Sequence, residues 1–249
     1  MVLCFQVCFA VTPDDEAAVN YINSQKFDRF LGKGQNQHAV IILKRPGVSN
    51  IPPTAEMSKI EISDEFLDRF YSGSDESIKT DLRTNIEENV KAWRANIDGD
   101  DVIVAWAKPQ TITRPDKKGR KKPVVVIHSE TRLIELLQGE TKAGKKAHLW
   151  TKNSPRENCA DGSKAKSIVN LKKESEGMQL HLHHEDIYVA LGLKPEAAVA
   201  EFMRSKQHLS GINSNFTWTV SADYQAENQK MNNVKNLDIQ CKYMYLFFF

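Results

Sequence analysis

His181, His183 and His184 crowd the run LHLHHED that ends at Asp186. Alternate residues of an extended chain share a face, so His181 and His183 are spaced to grip one divalent cation, with Glu185 or Asp186 as carboxylate ligands, or to exchange protons. A second chemistry is electrostatic. In Ile112 to Ile127, ITRPDKKGRKKPVVVI, the cations Lys117, Lys118, Arg120, Lys121 and Lys122 face only Asp116 across a Pro- and Gly-marked loop. Such a loop repels itself, projects into solvent and suits a polyanion, each neutralised phosphate steepening the salt dependence by about 0.9 log unit per decade. Lys142, Lys145 and Lys146 form a second basic turn. Trp106 and Trp150 lie in neighbouring strand-like runs, where unpaired bases can stack on them.

His181-Leu182-His183 resembles the His-hydrophobic-His motif of the HUH endonucleases, replication initiators and transposases that nick single-stranded DNA through a tyrosine. The resemblance covers three residues and implies a metal-dependent nuclease with His181 and His183 as its metal ligands. That family continues with Tyr-x-x-Lys or Tyr-x-x-x-Lys, whereas Tyr188 and Tyr224 here each precede a lysine by six positions. The bland alternative is a set of surface histidines on an edge strand. Asp186 to Lys206 looks like the helix-turn-helix of DNA-binding regulators, with Ile187, Leu191 and Leu193 at apolar positions around Gly192. Tyr188 stands where that motif has a small residue, and Glu196 and Glu201 would face phosphate, so an ordinary helical hairpin competes. Gly32-Lys33-Gly34 lacks the spacing of a phosphate-cradling loop, and nothing places Ser, His and Asp as a triad.

The net charge of +2 conceals an internal division. Residues 1–99 carry 11 Lys and Arg against 15 Asp and Glu, residues 100–174 carry 17 against 9, and residues 175–249 carry 6 against 8. A basic middle third between acidic flanks concentrates positive potential where the loop lies. The cysteines Cys4, Cys8, Cys159 and Cys241 have neither zinc-ribbon nor disulfide-framework spacing. No run approaches the roughly 18 apolar residues that span a bilayer, and the apolar start lacks a basic n-region. The expected setting is therefore intracellular, cytoplasmic or nuclear, including a virion-associated product, with no membrane partner.

The positioning elements follow from periodicity and punctuation. Val2 to Val11 reads as a strand; Thr12-Pro13 followed by three acids then starts a helix. His38 to Leu43 is a strand and Pro46 to Thr54 a loop. Asp64 to Tyr71 is helical, and Ile78, Leu82, Ile86, Val90 and Trp93 predict a helix that closes at Asp98-Gly99-Asp100. Val102 to Ala107, the basic loop and the valines before Ile127 read as one extended hairpin. Ser129 to Leu137 is a short helix, Ala147 to Lys152 and Met178 to His184 are strands, and two short helices flank Gly192. Phe216 to Tyr224 and Leu237 to Phe249 are strands, the last an apolar tail that must pack within its own sheet or against another subunit.

These elements predict an α+β fold with a mixed, largely antiparallel sheet, several helices and an extended basic β-hairpin. They form a single domain over 1–249, with subdivision points near 46–54 and 153–165. The leading function is a non-enzymatic nucleic-acid-binding protein, for RNA or single-stranded DNA, acting as a homo-oligomer and needing no cofactor. One alternative is a self-assembling capsid, nucleoprotein or matrix-like structural protein joined by its terminal strands. The other is the nuclease, the one reading that calls for a divalent metal.

Overall fold

In the computed structural model, which describes residues 12–25, 27, 37–71, 73–84, 86–140, 143–153, 179–186, 197, 200 and 216–220, the chain is α+β. The α-helices among the described residues are α1 (Pro13–Ser24), α2 (Asp64–Asp68), α3 (Glu76–Arg83), α4 (Ile86–Asn89) and α5 (Ser129–Leu136). The strands are β1 (Ala39–Lys44), β2 (Ser58–Ile60), β3 (Val90–Ile97), β4 (Asp100–Ala107), β5 (Gln110–Pro115), β6 (Lys121–Ile127), β7 (Lys146–Asn153), β8 (Gln179–Asp186) and β9 (Phe216–Val220). The expected strand at Val2 to Val11, the tail from Leu237 to Phe249, Lys142 and most of the two helices around Gly192 lie outside the described residues.

Seven strands form a mixed sheet in the order β2-β3-β4-β1-β7-β8-β9. Pairing is antiparallel from β2 to β7 and parallel from β7 through β8 to β9. At the centre, β1 is buried along its whole length, as the unbroken run AVIIL requires of a strand covered on both faces. One face carries Ala39, Ile41 and Leu43 against Phe66 and Leu67 of α2 and Leu133 and Ile134 of α5. The other carries Val40 and Ile42 with Val104, Trp106 and Trp150 against Ala18 and Ile22 of α1.

Two sequence expectations change. The helix read from Ile78 to Trp93 ends at Arg83, and Val90–Ile97 is instead a strand whose buried positions begin by alternating, at Val90 and Ala92. Its partner is β4, reached through Asp98 (φ 53°) and Gly99 (φ 88°), whose left-handed conformations make the Asp-Gly pair a tight hairpin turn. Accordingly Val102–Ala107 belongs to the central sheet between β3 and β1, and does not form an extended hairpin with the valines before Ile127. A separate strand, β5, pairs antiparallel with β6, from Gln110 opposite Ile127 to Pro115 opposite Lys121, with a register shift at Ile112/Thr113.

This two-stranded ribbon lies on α3. Its inner face, Ile112, Val125 and Ile127, packs with Ile78 and Leu82. Polar contacts pin both ends: beside the tip Arg114 donates to Ser77 Oγ at 3.0 Å and pairs with Asp81 at 2.8 Å, and at the root Gln110 Nε2 donates to the Asp81 carbonyl at 3.0 Å. Gln110 Oε1 in turn accepts from Arg132 of α5, a fully buried guanidinium whose pKa burial lowers to about 10. No helix among the described residues is long and apolar enough to cross a membrane.

Candidate functional site

The basic tip spans residues 116–122: the turn 116–120 between β5 and β6 and the first two residues of β6. Gly119, at φ 72°, occupies the left-handed region that the turn needs, and its amide donates to the Asp116 carbonyl at 2.8 Å. Asp116 organises the rest. Its Oδ1 accepts from the backbone amides of Lys118 at 2.8 Å and Arg120 at 2.9 Å, while Oδ2 meets Arg120 Nη2 at 2.9 Å and Lys122 Nζ at 3.6 Å. The Arg120 amide first, then the Lys118 amide and the Arg120 and Lys122 side chains, outweigh slight desolvation and hold this carboxyl below its ordinary range. Lys117, Lys118 and Lys121 are exposed and make no ion pair among the described residues. One acid thus shapes a loop of five cations and leaves it strongly positive.

Replacing Asp116 with asparagine separates these roles. An amide oxygen still accepts both backbone bonds, but Arg120 and Lys122 lose their counterion. Asp116→Asn is expected to bind a polyanion severalfold more tightly at low salt, the gain vanishing at high salt because the charges involved face solvent and are screened. Fluorescence anisotropy against a labelled oligonucleotide across a salt series checks it.

The other expected phosphate and base contacts are placed differently. Lys145 and Lys146 are buried, Lys145 pairing with Asp101 at 3.1 Å and Lys146 with Asp15, so the second turn does not present them to solvent. Trp106 and Trp150 fill the α1 face of the sheet, Trp150 between His38 (ring centroids 4.8 Å apart) and His183 (6.4 Å, stacked at 21°), and offer no open stacking surface. Their side chains point inward because β4 and β7 are covered on both faces, which erases the alternation that separates inside from outside in an exposed sheet.

The histidines are corrected too. Strand β8 is not an edge, since β9 pairs along it, and His181 and His184 are buried. His181 and His183 do share a face, but they meet different partners. His183 stacks on Trp150, while His181 Nδ1 lies 3.4 Å from Asp15 Oδ1. Burial lowers both imidazoles to about 4, for His181 against the raising influence of Asp15.

Asp15 is the hub of a network that spacing alone did not reveal. Its Oδ2 closes a capping box with Thr12, accepting from the Thr12 amide at 3.2 Å and from Thr12 Oγ1 at 2.7 Å, while Thr12 Oγ1 accepts from the Asp15 amide at 3.2 Å. Its Oδ1 faces Lys146 Nζ, His148 Nδ1 at 3.4 Å and His181. Beside it, Asp14 pairs with Lys44 and lies 3.3 Å from His148 Nε2. Burial raises both carboxyls, but the contacts from His148 and a lysine outweigh it and hold both well below the usual carboxylate range.

Asp14, Asp15 and His148 have ligand atoms close enough together for a metal ion. The donor set does not call for one. Lys44 and Lys146 already neutralise the two carboxylates, and a divalent ion added beside two ammonium groups would bury excess positive charge. The His148 imidazole lies between the two carboxylates, each ring nitrogen facing one of them. With Asp15, His148 and His181 all buried, the arrangement ties α1 to β1, β7 and β8 rather than opening to a substrate. No protein-family model matches the chain, and a search of curated proteins finds no match.

Proposed function

We propose that this protein is a non-enzymatic nucleic-acid-binding protein that contacts phosphates through the β5–β6 tip. One observation carries the reading: Lys117, Lys118, Arg120, Lys121 and Lys122 are all exposed on a short turn whose single acid is committed to shaping it. The ribbon is held at its root by Gln110 and beside the tip by Arg114, so the cations are presented from an anchored base. Arg114 is spent on Asp81 and stays outside the contact set.

Counterion release makes the test quantitative. Lys117→Ala/Lys118→Ala/Lys121→Ala removes the three lysines with no ion pair among the described residues and should flatten the log-affinity against log-salt slope by about 2–3 units, depending on strand type. Affinity near 0.1 M salt should fall at least tenfold. A filter-binding titration from low to high salt measures both, and an unchanged slope with unchanged affinity refutes the proposal.

A further inference from the structure

We infer that the ribbon engages duplex DNA by lying in the major groove with its outer face toward the bases, an inference that rests on the nucleic-acid reading of the same hairpin. The outer face holds the only large hydrophobic side chains that are exposed among the described residues, Val124 (46 % exposed) and Val126 (53 %). Thr111, opposite Val126, and Thr113, opposite Pro123, are exposed as well. A solvent-facing strand usually turns polar residues outward, so two valines beside a five-cation tip call for an occupant that is polyanionic at its margins and apolar within reach.

A major groove meets both demands. Phosphates line its walls, while the floor carries base edges and the thymine methyl groups, which valine and threonine methyls can contact. The dimensions agree: strands about 4.8 Å apart, widened by side chains, fit a groove about 12 Å across that admits a two-stranded ribbon. Helix α3 backs the inner face through Ile78 and Leu82, leaving the outer face free to enter. An unpaired strand is the poorer fit because it is held by aromatic stacking, and Trp106 and Trp150 are turned into the core.

The experiment compares three probes: an A·T-rich DNA duplex, the same duplex with uracil replacing thymine, and one of its strands alone. The parent should bind the thymine duplex roughly threefold or more tightly than the uracil duplex, and more tightly than the single strand. Val124→Ser/Val126→Ser, at exposed positions that leave the inner packing intact, should bind the two duplexes equally with an unchanged salt slope. Equal affinity of the parent for both duplexes, preference for the single strand, or no effect of the valine changes overturns groove binding. If in that case the triple lysine variant still loses affinity, phosphate binding by the tip stands and the groove placement falls. If the parent binds none of the probes, both fall.

Discussion

Asp15→Asn is expected to lower the unfolding free energy at neutral pH by about 3–5 kcal/mol, the usual range when one partner of a buried ion pair is removed. The cost lies in what remains. Lys146 stays buried beside His148 and His181 without its Asp15 partner to offset its desolvation, and α1 keeps only the Asp14 contacts with Lys44 and His148 as charged ties to the sheet. An amide still accepts from Thr12, so the cap survives and the loss reports the ion network. Lys146→Met alone should also destabilise, because it strands the carboxylate. The double variant should recover much of the loss, giving a coupling of about 2 kcal/mol or more, since replacing a buried pair by apolar side chains is often nearly neutral. Urea midpoints at constant m-value measure all three proteins. Additive losses, or a single-variant cost below about 1 kcal/mol, would show that the network does not hold α1 in place.

That network shows where sequence reading succeeds and where it stops. The α1 start was legible because its signals are local: Thr12 as cap, Pro13 in the first turn, and acids where the helix dipole favours them. The same acids' second role was invisible. Lys44, Lys146, His148 and His181 stand on three strands far along the chain, and only the register that sets His148 opposite His181 and Ile42 opposite His148 gathers them under the helix. Acids that look like surface helix residues in one dimension prove in three to be partners of buried cations, Asp15 itself fully buried.

The misread helix has a different cause. Ile86, Val90 and Trp93 satisfy helical steps of four and three, yet Val90 and Ala92 equally satisfy the two-residue period of a strand. Periodicity over so short a stretch does not discriminate. Asp98-Gly99 does, because both residues take positive φ in a two-residue hairpin loop, and that signal counted for more than the apolar stripe. The tip was legible as a basic turn because charge and Pro/Gly punctuation are local. Its strand partner was not, since TITR in β5 is short and polar and yields to the more apolar Val102–Ala107 as the apparent mate.

Acid should unfold this protein in two legs with the same sign. His181 and His183 titrate near 4 when folded and near 6.5 when unfolded, burial being the leading cause for both. Between those values the unfolded chain binds protons that the folded chain refuses, so stability falls as pH drops from about 6.5 to 4. The loss then levels off at roughly 3 kcal/mol for each histidine. Asp14 and Asp15, held below the ordinary carboxylate value of 3.8, contribute stability that is complete above it and lost as pH falls further. The contribution of these four groups is therefore complete only above about pH 7. His183→Phe isolates half of the histidine leg, because a phenyl ring can keep the stack on Trp150 without a titrating nitrogen. Urea midpoints from pH 4 to 8 should show the variant near the parent at pH 7.5 and about 2–3 kcal/mol more stable relative to it at pH 4.5. Parallel profiles for the two proteins would mean that His183 gains its proton in the folded state as readily as in the unfolded one, and the acid sensitivity would then have to come from elsewhere in the chain.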